Sequence, residues 1–176
     1  MRTDRAVGFA FGCAVAAAVL TIDQVTKAIA VSSLGGRDRI PLLGDLLGLQ
    51  LAFNPGIALS FGADQTWLIT ILTSVLTAGV CVALVRSATT PSSIALGFTL
   101  GGAFGNLVDR LFAPPAFGQG HVIDFLAYGE LFIGNLADVA LAIGAIILAI
   151  DLLCTRAFLT TAPSDAAATV GAAKNG

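Results

Sequence analysis

Four long stretches with almost no charge are the feature that most constrains the fold of this 176-residue chain. A helix needs about 20 apolar residues to cross roughly 30 Å of hydrocarbon. Stretches of that length lie at 6–31, 65–85, 87–108 and 131–150, and only the first and the last contain Asp, Glu, Lys or Arg. The charged fraction is 11%, whereas soluble domains have about one quarter. The sequence therefore predicts a polytopic membrane protein with four transmembrane helices and both termini on the same side.

Composition and motifs exclude several function classes. The net charge of −2 leaves no basic stripe for a nucleic acid. Cys13, Cys81 and Cys154 are widely spaced in apolar runs, so we expect small buried residues and not a disulfide framework or metal site. The one histidine, His121, lies in a predicted loop, and the sequence has no His-Glu-x-x-His motif, serine elbow, P-loop or dinucleotide fingerprint. We therefore expect neither a cofactor nor a metal.

The connections between the apolar stretches indicate the orientation. With both termini in the cytoplasm, five basic residues fall inside and four fall outside or at the outer edge, in the direction of the positive-inside rule. Residues 86–92 are then a cytoplasmic turn, and the loops at about 34–64 and 113–130 are extracytoplasmic. Residues 1–156 form one predicted domain, and residues 157–176 a disordered cytoplasmic tail. The first stretch could instead be a secretory signal peptide, but its length and its continuation into Asp23 and Lys27 favour a membrane span.

The first outer loop has the pattern of a small sheet. Apolar residues alternate with others along 47–54, and Gly44 and Asp45 form a plausible turn that joins this segment to a strand at 40–43. The second outer loop contains an apolar segment at 121–126 that could add a strand before the chain enters the fourth span.

Polar residues within or beside the spans are the candidates for function, because ionisable groups there are costly unless paired or solvated. Asp23 and Lys27 are four residues apart, which favours a structural ion pair on one helix. Two Asn-x-x-Asp pairs place an amide and a carboxylate on one helix face. They are Asn106 with Asp109 and Asn135 with Asp138. Asp109 is also adjacent to Arg110. Its carboxylate could therefore be neutralised locally by that guanidinium, or it could have a direct role in function.

Asp124 and Asp138 have no cation beside them in sequence. Asp138 lies about two predicted turns into the fourth span, so a modest bend could bring the two carboxylates together at the outer boundary. Two neighbouring carboxylates in a poorly solvated site do not both ionise easily, so one keeps a proton while the other acts as a base. Such a pair can hydrolyse an amide without a metal or a covalent intermediate.

These residues, with their neighbours, resemble the ordered motifs of lipoprotein signal peptidase, the bacterial signal peptidase II family. The resemblance runs from Asp23 to Asp138. Each motif alone is weak evidence for the family, whereas five motifs in the same order are strong evidence. Two positions depart from the family pattern: Leu59 and Gly134. The matching segments are Asp23 with Lys27, Asn54-Pro55-Gly56-Ile57-Ala58-Leu59-Ser60-Phe61, Gly105-Asn106-Leu107-Val108-Asp109-Arg110, Val122-Ile123-Asp124-Phe125 and Asn135-Leu136-Ala137-Asp138.

The resemblance implies an aspartic endopeptidase of the bacterial inner membrane, with four helices, a small extracytoplasmic β-cradle and cytoplasmic termini. Such enzymes remove the signal peptide from diacylglyceryl-modified prolipoproteins, before the lipidated cysteine. Asp124 and Asp138 match the catalytic pair. The positions that match polar groups around the substrate are Asn54, Asn106, Arg110 and Asn135. Those that match supporting positions are Asp23, Lys27, Gly56 and Asp109.

Two other classes remain open from the residues alone. A small transporter could use Asp23, Asp109 and Asp138 as a proton or cation relay. A structural scaffold would use the same polar groups only to join helices.

Overall fold

A computed structural model describes residues 2–56 and 62–161, with side chains at 5–56 and 62–154. Its long helices are α1 (Arg2–Leu34), α2 (Thr66–Arg86), α3 (Thr90–Phe112) and α4 (Leu136–Thr161). Its strands are β1 (Ile40–Leu43), β2 (Leu47–Asn54), β3 (Val122–Tyr128) and β4 (Phe132–Gly134), and a short 3-10 helix covers Ala63–Gln65. Within the described residues, three helical segments are long and apolar enough to cross a membrane: Arg5–Leu34, Ala63–Arg86 and Leu136–Cys154. The membrane crossing of α3 stays a prediction.

Helix α3 is the centre of the helical bundle and packs against each of the other three helices. Glycines at four-residue spacing, Gly97, Gly101 and Gly105, face α1. A Cβ on Gly101 would lie 2.7 Å from the Ala16 carbonyl oxygen, and a Cβ on Gly105 would overlap the Asp23 carboxylate. Small residues allow two helix backbones to approach closely inside a membrane.

The predicted start of a helix near Pro91 is confirmed. Thr89 caps α3 by accepting a hydrogen bond from the Ser92 backbone N–H at 3.3 Å, and Pro91 occupies the first turn. At the same end of the bundle, the Arg5 guanidinium donates to the carbonyl oxygens of Arg86 and Ser87 at 3.3 and 3.4 Å. The amino-terminal part of α1 therefore lies beside the connection between α2 and α3.

The four strands form one antiparallel sheet in the order β1-β2-β3-β4. The predicted hairpin is confirmed, since β1 and β2 pair and Gly44 adopts a left-handed conformation with φ of 51°. The second outer loop supplies β3, also as predicted. Strand β2 carries an irregularity between Leu49 and Ala52, next to the point where Ala52 pairs with Asp124. Bulges of this kind are common beside functional sites because they redirect side chains.

The predicted start of the fourth span at residue 131 is wrong. Residues Phe132–Gly134 instead form β4, which pairs with β3, and α4 begins at Leu136. The reason is a turn at Gly129, with φ of 56°, that folds the apolar segment back onto the sheet before the helix starts. Asp138 consequently lies in the first turn of α4, not two turns into it. At its other end α4 runs past residue 156 to Thr161, and residues 162–176 of the predicted tail lie outside the described residues.

The expectation that the cysteines are buried is also wrong. Cys13 and Cys154 are exposed and Cys81 is half-buried. Large apolar side chains share this exposure along the same helices, among them Phe11, Val82 and Leu153. On a membrane helix the outer face contacts hydrocarbon, so a small apolar thiol is as suitable there as in a core.

Candidate active site

Asp124 lies on β3 with its side chain almost completely buried, at 3% exposure. Asn135 donates from Nδ2 to Asp124 Oδ1 at 2.6 Å, and Asn54 donates from Nδ2 to Asp124 Oδ2 at 3.2 Å. Asn54 ends β2 and pairs with Val122, so it stands diagonally opposite Asp124 on the same face of the sheet. The sheet and the start of α4 thus hold this carboxylate from two sides.

Asp138 lies at the amino-terminal end of α4 and is half-buried. Its Oδ1 accepts a hydrogen bond from Asn106 Nδ2 at 3.0 Å, and its Oδ2 accepts one from the Asn135 backbone N–H at 3.2 Å. The Asn135 side-chain Oδ1 in turn accepts from the Asp138 backbone N–H at 3.0 Å. This reciprocal pair is a capping box, which satisfies two backbone donors at a helix start. It explains why α4 begins where it does.

Asn135 therefore contacts both candidate catalytic carboxylates and brings them to one place. It is fully buried, at 0% exposure, and it links Asp124 through its side-chain amide and Asp138 through its backbone and its cap. All four carboxylate oxygens of the two aspartates have one N–H donor each. Both carboxylates are consequently held in fixed orientations.

The pKa of Asp124 is raised from its ordinary value to about 6, chiefly because burial penalises the charged form. The hydrogen bond from Asn135 opposes this rise by stabilising the carboxylate, the charge of Asp138 adds to it, and the Asn54 hydrogen bond lowers it again. A carboxyl group with this pKa exchanges its proton near neutral pH. The arrangement is therefore suited to general acid and base chemistry.

A second buried group lies directly behind the two aspartates. Lys27 Nζ forms ion pairs with Asp23 Oδ2 at 2.8 Å and with Asp109 Oδ2 at 2.7 Å, and it donates to Asn106 Oδ1 at 3.0 Å. The predicted pair of Asp23 with Lys27 is confirmed. It is more than a local pair, since Asp109 joins from α3 and all three side chains are buried.

Asp109 is thus neutralised by Lys27 from another helix. Arg110 makes different contacts: its guanidinium donates to the carbonyl oxygens of Pro55, at 3.3 Å, and Gly56. The Gly56 N–H also donates to Asn54 Oδ1 at 3.0 Å. Arg110 and Gly56 hold the chain just after Asn54, and residues 57–61 of that motif, including Leu59, lie outside the described residues.

Two residues at the site have functions that sequence reasoning did not assign. Gln24 donates from Nε2 to Asp109 Oδ1 at 3.1 Å, to Asp23 Oδ2 at 3.3 Å and to the Gly105 carbonyl oxygen at 3.0 Å. The available signal was an uncharged amide beside Asp23 in an apolar span. At Gly134, an added Cβ would lie 3.0 Å from Asp138 Oδ2, so glycine leaves space beside that carboxylate.

An apolar cavity of about 180 Å³ lies apart from these polar groups. It is bounded by the outer part of α1 and by the sheet, including Phe125, the neighbour of Asp124. Within the part of the chain that the structure describes, no group of three or more His, Cys, Asp or Glu residues has an arrangement that could hold a metal ion.

Helices that suit a membrane, a small sheet and two carboxylates at their junction fit the class of membrane-embedded peptidase. Residues 15–154 match the family model described as Signal peptidase (SPase) II. The chain belongs to the signal peptidase II family.

Curated relatives and a solved structure agree with this assignment. The lipoprotein signal peptidase of Bifidobacterium longum subsp. infantis is 40% identical over 158 residues, which cover 90% of this chain and 84% of the relative. That of Rhodococcus jostii is 40% identical over 140 residues, covering 77% and 69%. The fold is similar to a solved bacterial membrane enzyme with a TM-score of 0.72 and 25% identity, over 88% of this chain and 94% of the other.

Proposed function

We propose that this protein is an aspartic endopeptidase that removes the signal peptide from diacylglyceryl-modified prolipoproteins, before the lipidated cysteine. The substrate follows from the family and from the activity for which its relatives are named. The observation that carries the catalytic type is the contact of Asn135 with both Asp124 and Asp138. These two aspartates are the proposed catalytic residues.

In the proposed reaction the two carboxyl groups share one proton. The ionised aspartate takes a proton from water, and the resulting hydroxide oxygen attacks the scissile carbonyl carbon, while the protonated aspartate donates its proton to the carbonyl oxygen. The tetrahedral intermediate, a gem-diol, then collapses as the C–N bond breaks: one aspartate donates its proton to the amine nitrogen, and the other takes the proton of one gem-diol hydroxyl. One water molecule is consumed, and the two aspartates, the catalytic dyad, again share one proton. No covalent intermediate with the enzyme forms.

The remaining site residues have proposed roles in binding and support. Asn54, Asn106 and Asn135 orient the dyad, and their amides, with the Arg110 guanidinium, are the polar groups nearest to a substrate held there. Amides both donate and accept hydrogen bonds, which suits the alternating groups of a peptide backbone. The residues proposed to support this arrangement are Asp23, Lys27, Gly56 and Asp109.

The proposed setting is the bacterial inner membrane, with the dyad at the extracytoplasmic face and both termini in the cytoplasm. Support for a fourth span comes from the ends of α3. It begins beside Arg5, at the end of the bundle remote from the sheet, and it ends where Asp109 accepts a hydrogen bond from the Ile123 N–H of β3. We propose that α3, which joins these two ends beside three helices long and apolar enough to span a membrane, crosses the same layer. Residues 1–156 are proposed as the membrane domain, with the tail that follows in the cytoplasm.

The test is cleavage of a lipidated prolipoprotein by the purified protein, followed as a gel shift. Asp124→Asn and Asp138→Asn should each abolish cleavage, because an amide neither accepts the proton of water nor donates a carboxyl proton. Asp45→Asn, at an exposed aspartate in the first outer loop, is the matched control and should retain full activity. Substantial turnover by either folded dyad variant would refute the assignment. A proton-coupled transporter would instead show activity that depends on a gradient and survives loss of Asp124.

A further inference from the structure

We propose that Asp23, Lys27 and Asp109, named here the Lys27 cluster, set the separation of the two catalytic carboxylates. The structural basis is a repeated contact: each aspartate of the cluster binds the backbone N–H of the residue that immediately precedes one catalytic aspartate. The inference rests on the proposed function of Asp124 and Asp138. It makes the cluster residues positioning residues and not catalytic ones.

The first contact fixes the start of α4. Asp23 Oδ1 accepts a hydrogen bond from the Ala137 backbone N–H at 2.9 Å. Ala137 precedes Asp138 and is fully buried, at 0% exposure, as is Asp23. The N–H groups of a first helical turn have no partner within the helix. A carboxylate from α1 therefore holds the turn that carries Asp138.

The second contact fixes β3. Asp109 Oδ2 accepts a hydrogen bond from the Ile123 backbone N–H at 3.2 Å. Ile123 precedes Asp124, and Asp109 is 4% exposed. A carboxylate from α3 therefore holds the strand that carries Asp124. The two catalytic segments are also joined by Asn135 and by the pairing of β3 with β4.

Lys27 joins the two contacts into one unit. An ammonium group has three donors, and the three acceptors within reach of Lys27 Nζ are the carboxylates of Asp23 and Asp109 and the Oδ1 of Asn106. The contact with Asn106 also fixes that amide so that its Nδ2 points at Asp138. Gln24 adds a further link, because its Nε2 contacts both carboxylates of the cluster.

A displacement of either segment would change the distance between the catalytic carboxylates. A misplacement of about 1 Å can cost on the order of a hundredfold in rate. The distance also sets how strongly the two ionisations interact, and interacting carboxylates lose their protons in two separated steps. A looser pair therefore has two pKa values that lie closer together, and the bell-shaped pH profile of kcat becomes narrower.

The experiment compares Asp109→Ala with Asp109→Asn, and Asp23→Ala with Asp23→Asn. Each change leaves one carboxylate paired with Lys27, so the cluster goes from one net negative charge to a neutral ion pair in all four variants. Asparagine keeps an oxygen that accepts the backbone N–H, whereas alanine removes it. We expect kcat per folded protein to fall by about a hundredfold in the alanine variants and by clearly less in the asparagine variants, with KM within about twofold of the parent. The pH profile of the alanine variants should also narrow.

Several outcomes separate this inference from the proposed function. If the parent does not cleave the lipidated prolipoprotein, or if Asp124→Asn cleaves it, the proposed function itself fails. If the parent cleaves and the cluster variants lose activity only in proportion to their folded fraction, with an unchanged pH profile, the positioning role is refuted. Equal loss of kcat in the asparagine and alanine variants would also refute it. That result would mean that the carboxyl group itself is needed, as in a proton relay, and that an oxygen that accepts the backbone N–H is not sufficient.

A neutral variant decides the matter if the aspartate variants do not fold. Gln24→Met keeps both ion pairs and removes the three hydrogen bonds that the amide donates, to Asp23, to Asp109 and to the Gly105 carbonyl oxygen. The positioning role requires a lower kcat, by about threefold to tenfold, with an unchanged KM and a narrower pH profile. If Gln24→Met has the same kcat, KM and pH profile as the parent, the positioning role is overturned.

Discussion

The hydrogen bond between Asn135 and Asp124 gives a quantitative prediction about the pH dependence of cleavage. Asn135 has two separable functions: its Oδ1 caps α4, and its Nδ2 donates to Asp124 Oδ1 at 2.6 Å. Asn135→Ser separates them. Serine is a good helix cap, so its hydroxyl still accepts the Asp138 N–H, but it carries no amide to reach Asp124. The substitution therefore removes one hydrogen bond to the catalytic carboxylate while the helix start is kept.

The expected shift follows from the strength of that bond. The amide donates to the ionised carboxylate, so it lowers the pKa of Asp124, and its removal raises that pKa above the present value of about 6. A hydrogen bond to a charged group contributes about 1.5 to 3 kcal/mol, and one pKa unit corresponds to about 1.36 kcal/mol. The rise should therefore be about one to two pH units. Because the dyad needs one proton, the alkaline limb of the profile marks the loss of its last proton and should move to higher pH by the same amount.

The assay is the cleavage rate of a lipidated prolipoprotein across a pH series, for the parent and for Asn135→Ser and Asn135→Ala. Asn135→Ala should show the same displaced limb and, in addition, a loss of stability of about 1 kcal/mol from the missing cap. Asn54→Ala should move the limb in the same direction by less, since its bond to Asp124 is longer, at 3.2 Å. An alkaline limb that stays in place, or that moves to lower pH, would show that Asp124 does not hold the titrating proton.

Three further predictions test the setting and the chemistry. Reporters fused within residues 86–92 should lie in the cytoplasm and those within 113–130 outside, and the reverse pattern would refute the topology. Chelators, serine-directed reagents and replacement of Cys13, Cys81 and Cys154 by alanine should leave cleavage largely intact, whereas loss on metal removal with recovery on adding zinc would indicate another mechanism. An unmodified prolipoprotein should be cleaved far more slowly than its diacylglyceryl form in the same detergent, because two acyl chains, at about 0.8 kcal/mol per buried methylene, fix the depth of the scissile bond. Equal rates would show that the site does not read the lipid.

Much of the fold could be predicted because membrane spans and hairpins leave local signals. Apolar length predicted α1 and α2, the Pro91 turn predicted the start of α3, and alternation around Gly44 predicted β1 and β2. The start of α4 could not be predicted in this way. The segment at 131–134 is apolar enough for a span, and only its pairing with β3 shows that it is a strand. Such pairing depends on residues distant in sequence.

The site, like the fold, has features that could be predicted from the sequence and others that could not. Residue types and spacing predicted which aspartates stand in costly positions, and they predicted the pair of Asp23 with Lys27. They could not predict that Lys27 also binds Asp109 from α3, because nothing in the sequence brings those helices within contact. The adjacent Arg110 was the simpler partner for Asp109, yet its guanidinium binds the backbone after Asn54 instead. Sequence neighbours on a helix point to different faces, so adjacency is poor evidence for pairing.

The two Asn-x-x-Asp motifs show why spacing alone does not define a role. At 135 and 138 the motif spans the start of a helix, so free backbone donors draw its side chains into a reciprocal cap, and the spare amide reaches Asp124. At 106 and 109 the motif lies inside α3, where backbone donors are already used. Its two side chains therefore turn to other partners: Asn106 reaches Asp138, and Asp109 reaches Lys27 and β3. The same spacing thus supplies Asp138 to the catalytic pair and Asp109 to the Lys27 cluster. The position of the motif within its helix determines which of these roles its aspartate has.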